Sequence, residues 1–112
     1  MHYKVSFAVF LYAIAAIIDV AVGISILNQF ESYLFKIAAA MAVMAVYVNL
    51  VSKGKPIRAL PFILASLILS IIAITLGRTE PTVPINAALK IIAIVLTLKP
   101  EIIEVEIVTE EE

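Results

Sequence analysis

A chain of 112 residues that is 63% hydrophobic, with a mean hydropathy of +1.13, is too apolar for a water-soluble domain. Soluble domains carry about 45–50% apolar residues, and so small a body has too little interior to hide the excess. The net charge of −1 gives no field for nucleic acid, and with no cysteine and His2 the single histidine, disulfides, thiolate chemistry and a histidine-cluster metal site within one chain are excluded.

In chain order, residues 1–5 read as a short polar start. The first apolar run, about 6–27, is broken by Asp19 and is long enough for a hydrocarbon core of about 30 Å at about 1.5 Å per residue. It lacks a cleavage-site pattern and reads as a retained span. The polar turn NQFES follows, with Phe30 and Tyr33 suited to a membrane interface. A second span covers about 33–51, and Lys36 near its start is expected to snorkel to the headgroups. The basic turn 52–55 comes next, with Pro56 expected at the first helical position of a third span, 57–77, and Pro61 expected to bend it. A turn with Pro81 and Pro84 opens a fourth span, 84–98, which carries Lys90 and is short for a crossing. In the tail, 99–112, Ile103, Val105 and Ile107 alternate with Glu104 and Glu106. That segment reads as a solvated acidic tail or, from its period of two, as an extended strand needing a partner such as a neighbouring subunit.

The expected fold is thus one all-α membrane domain, residues 1–112: a four-transmembrane-helix bundle of two hairpins with a short acidic tail. Four spans put both termini and the turn at 52–55 on one side. That side holds Lys4, Lys53, Lys55, Arg58 and Lys99, against Lys36, Arg78 and Lys90, which predicts cytoplasmic termini. A self-comparison at an offset of 54 pairs Gly23 with Gly77 and Lys36 with Lys90, together with five Ile or Ala identities, and suggests that the hairpins are duplicated and parallel. Nineteen isoleucines, one glutamine and no Trp or Cys fit the residue usage of a thermophile, archaea included.

Two charges fall inside spans. Asp19 and Lys90 lie about 12 Å and about 9 Å from the same side, counting 1.5 Å per residue. Because an isolated charge in hydrocarbon is costly, an Asp19–Lys90 contact is expected, acting as a clamp between helices or as a coupling site for protons or cations. Small residues at helical spacing mark packing faces: Ala15 and Gly23 beside Asp19, then Ala38, Ala42, Ala45 and Asn49, then Ser66 and Ser70. Tyr12, Tyr47, Asn49 and Thr75 are expected to hydrogen-bond their neighbours. The residues form no catalytic set, cofactor loop or metal cluster.

In length and in a lone carboxylate on span one, the chain resembles the small multidrug resistance transporters, which implies a four-span protein working as a dimer. It departs from them in using Asp19 rather than an early Glu, in lacking Trp, and in a third span, FILASLILSIIAITLG, without an internal Gly motif. Hairpins joined by a basic turn are also similar to those of conjugative pilins, though two hairpins depart from that pattern. The leading expectation is a non-enzymatic membrane subunit, without cofactor, packing in lipid against other membrane subunits (a respiratory assembly for example) or against itself. The alternatives are a small ion- or proton-coupled transporter or channel using Asp19, and a lipid-associated filament subunit.

Overall fold

Four stretches that are apolar nearly all round form helices, the conformation that satisfies each backbone group within its own segment where water is absent: α1 (Ala8–Ser25), α2 (Glu31–Val51), α3 (Leu60–Thr75) and α4 (Thr82–Leu98). The computed structural model describes residues 2–52, 56–77, 80–99 and 104–108, with the backbone alone described at 2–6, 56 and 104–108. Lys53, Lys55 and Arg78, three of the basic residues behind the expected orientation, lie outside the described residues, as do tail residues 101–103 and 109–112.

Each helix packs on its neighbours in sequence, and α4 closes the ring against α1, so the four form an up-down bundle. Three segments are long and apolar enough to cross a membrane: Ala8–Ser25, Glu31–Val51 and Ile57–Thr75. The apolar α4, at 17 residues, is shorter. Large apolar side chains stand exposed on every helix, among them Ile17, Val43, Ile68 and Ile92. In water that surface would drive aggregation; in lipid it is at home.

The prolines act differently from expectation. Pro56 opens a 3-10 turn, Pro56–Ala59, and α3 proper begins at Leu60 with Pro61 in its first turn. The missing N–H of Pro61 falls where a helix has no internal acceptor for it, so the backbone changes from 3-10 to α without an interior break. At the other end, Gly77 follows the α3 C-cap Leu76 with φ +106°, a conformation that side chains disfavour, and its N–H bonds Ile74 O at 3.0 Å.

The polar start is a strand. β1 (His2–Ser6) pairs antiparallel with β2 (Glu104–Val108), with Tyr3 opposite Ile107, Lys4 opposite Glu106 and Val5 opposite Val105. Residues 104–108 of the tail therefore find their partner strand at the chain's own N-terminus, where the alternatives read from the sequence were a solvated tail or a partner such as a neighbouring subunit. The physical reason is proximity: an up-down bundle of four helices delivers both termini to one end.

The interior is layered. At the end nearest the termini, Ala8, Leu11, Tyr12, Ala45, Ala59, Ile63, Ala93 and Leu96 form one apolar cluster. At the opposite end, Val22, Ile26, Phe35, Ala73 and Val83 form another. Between them, in every helix, lies a stretch holding the buried polar residues or small alanines: Ala15 and Asp19, Ala38 and Ala42, Ser66 and Ser70, Asn86 and Lys90.

Matching the hairpins layer by layer corrects the register read from the sequence. The offset of 54 sets buried Lys90 against exposed Lys36 and buried Gly23 against exposed Gly77. Positions that share a layer instead pair Ala8 with Ala59, Tyr12 with Ile63, Ala15 with Ser66, Asp19 with Ser70 and Val22 with Ala73. In the second helices, Phe35 falls with Val83, Ala38 with Asn86, Ala42 with Lys90, Ala45 with Ala93 and Asn49 with Thr97. All of these are buried. Counting identities favoured the wrong register because Ile and Ala recur throughout the chain, whereas depth in the bundle is fixed by packing.

Candidate functional site

The middle layer brings together the two charges that composition made conspicuous. Lys90 Nζ lies 2.8 Å from Asp19 Oδ2, and both side chains are fully buried. The same ammonium donates to Ser70 Oγ at 2.6 Å and to Ser66 O at 3.2 Å. A lysine has three N–H donors; here two have hydrogen-bond acceptors, and the ammonium meets Asp19 Oδ2 as an ion pair without a hydrogen bond. The other carboxylate oxygen, Asp19 Oδ1, accepts from Asn86 Nδ2 at 2.8 Å, and Asn86 Nδ2 also reaches Ala15 O at 3.4 Å.

Each group arrives by helical spacing. Asn86 and Lys90 are four apart on α4, Ser66 and Ser70 four apart on α3, and Ala15 and Asp19 four apart on α1, so each pair shares one face. Ser66 extends the set to the fourth helix, donating from Oγ to Ala38 O at 2.8 Å. One continuous set of polar contacts thus touches all four helices at mid-height. Paired charge is what a low-dielectric interior demands, since a lone buried ion costs several kcal/mol.

The eight packing positions, Ala15, Gly23, Ala38, Ala42, Ala45, Asn49, Ser66 and Ser70, are all buried. Two of them do more than pack: the serines are ligands of the ammonium. At Gly23 the helices meet closely, since an added Cβ would stand 3.4 Å from Phe35 Cβ and 3.7 Å from Ser32 O. Ser32 Oγ donates to Gly23 O at 2.9 Å across the same gap. Lys36 is exposed, with its Nζ 5.3 Å from the centre of the Tyr33 ring.

Of the other polar residues, Thr75 Oγ1 donates to Ile72 O at 2.7 Å and Tyr47 is exposed. Tyr12 hydrogen-bonds Thr97, whose Oγ1 also bonds Ala93 O at 2.7 Å. Asn49 departs from expectation: its Nδ2 is buried without a hydrogen-bond partner. Layer equivalence supplies the reason. Asn49 occupies the position of Thr97, but the position of Tyr12 is taken by Ile63, which has no polar atom to offer. Asn86 Oδ1 and Asp19 Oδ2 are likewise buried without a hydrogen-bond partner, the latter held only by its ion pair with Lys90.

Sequence reasoning did not single out Asn86 or Thr97. The signal for Asn86 was available, because it stands one turn before Lys90 on the same face. Thr97 carried none, since a threonine near a helix end most often bonds its own backbone, as this one also does. Among the described residues, no group of three or more His, Cys, Asp or Glu is placed to hold a metal ion. The chain matches no protein-family model, no curated protein and no solved structure.

Proposed function

We propose that this chain is a small, non-enzymatic integral membrane subunit that packs within a larger membrane complex or against copies of itself. In this reading all four helices cross the bilayer, the two hairpins are parallel duplicates, and both termini face the cytoplasm. The observation that carries it is the fully buried ion pair of Lys90 with Asp19. An ammonium paired with Asp19 on one helix and hydrogen-bonded to Ser70 Oγ and Ser66 O on another is suited to clamping helices together. Such a pair would have to open before its proton could cycle. The matched layers of the two hairpins support duplication, and the excess of basic residues on one side supports the orientation. The shortness of α4 supports cover by protein or local bilayer thinning.

The second reading is an ion- or proton-coupled transporter or channel. What favours it is an ionisable pair at mid-depth with the unpartnered Asn86 Oδ1 beside it. Asp19→Asn separates the two. The native mass and the co-purifying chains would be determined in mild detergent, and ion flux measured in reconstituted vesicles. Loss of the assembly in the variant supports the subunit reading. Loss of a flux that the native protein supports, with the assembly intact, establishes the transporter.

A further inference from the structure

The seam between α1 and α2 carries two features that the core does not use. Toward the end of the bundle away from the termini, the stem of Lys36 lies against α1 at Gly23, where an added Cβ would stand 3.8 Å from Lys36 Cγ. Its ammonium is exposed and rides beside the Tyr33 ring. Stepping seven residues along each helix, from Gly23 to Ala16 and from Lys36 to Val43, follows the same antiparallel seam inward. There a shallow apolar groove of about 240 Å³ is lined by Ala16, Ile17, Val20 and Val43. Seven residues are about 10 Å of helix, so the cation heads a line that turns wholly apolar about 10 Å deeper.

We propose that this seam binds one anionic phospholipid, with the headgroup phosphate on Lys36 and an acyl chain lying in the groove. Matched chemistry runs along a single line of the surface. A snorkelled ammonium and a tyrosine ring belong at headgroup level, where an anionic lipid is attracted to fixed positive charge. The groove below offers only hydrocarbon, and its exposed walls, Ile17 at 68% and Val43 at 54%, are open to an entering chain. Gly23 leaves the lysine stem free to lie against α1. The proposal rests on membrane residence, not on the subunit role.

The test is lipid retention. The protein would be extracted in mild detergent, exposed to mixed micelles of phosphatidylglycerol and phosphatidylcholine, and weighed intact with its bound lipid. The native chain is expected to retain phosphatidylglycerol at least five-fold over phosphatidylcholine. Lys36→Gln should bring that preference to near unity, and Val43→Trp, which fills the groove from an exposed position, should lower retention of both lipids. Arg58→Gln, an exposed cation on the 3-10 turn, should leave both unchanged. Equal retention of the two lipids by the native chain, or a preference that survives Lys36→Gln, overturns the proposal. So does a dimer mass that Val43→Trp abolishes, because a second copy would then cover the seam. A chain found in the soluble fraction of cells would instead refute membrane residence itself.

Discussion

Removing one partner of the Asp19–Lys90 pair should be far more damaging than its single contact suggests. In Lys90→Met the acceptors at Ser70 and Ser66 lose their donor, Asp19 loses its ion-pair partner, and the carboxylate keeps only Asn86 Nδ2. Stranding a buried charge in this way costs about 3–5 kcal/mol. Asp19→Ala strands the ammonium instead, with two neutral acceptors left, and should fall in the same range. The double variant carries no buried charge, only neutral serine and asparagine groups, and bonds of that kind inside membranes average about 0.6 kcal/mol. It should therefore lose about 1–2 kcal/mol against a sum of about 6–10 for the two singles, a coupling of at least about 4 kcal/mol. The assay is unfolding in mixed micelles of increasing dodecyl sulfate content, followed by helical circular dichroism and run as a double-mutant cycle. Additive losses, or single variants within about 0.5 kcal/mol of the native chain, would refute the clamp.

Two smaller effects follow from the same interior and can be read by the same unfolding assay. Tyr12→Phe removes the hydroxyl that meets Thr97, yet Thr97 keeps its bond to Ala93 O. With no group orphaned, the loss should stay near 1 kcal/mol. Asn49→Leu removes a buried amide donor that has no partner, and should raise the stability by about 1 kcal/mol.

The membrane character, the positions of the helices to within a few residues, and the small-residue faces were legible in the sequence, since each depends on local composition and period. The similar depth of Asp19 and Lys90 was also countable, because every helical residue adds the same rise. Other features were not. β1 alternates polar and apolar residues but carries only two apolar positions, Tyr3 and Val5, and its pairing depends on β2, about a hundred residues away. The serines at 66 and 70 read as small packing residues because nothing local shows that a lysine tip will arrive between them.

By itself, then, the sequence determined the apolar character of this protein, its helices, and the need for its two buried charges to be satisfied. Only the tertiary structure decided how they are satisfied. The ring of four helices sets which faces meet, turns Lys90 toward α1 and α3 together, and brings Asn86 onto the far oxygen of Asp19. It also decided the layer correspondence between the hairpins, and with it why Asn49 lacks the partner that Thr97 has. The physical reason is the same in each case. Depth along a helix follows from counting residues, but rotation about the helix axis and the choice of neighbour are settled only when all four helices pack at once.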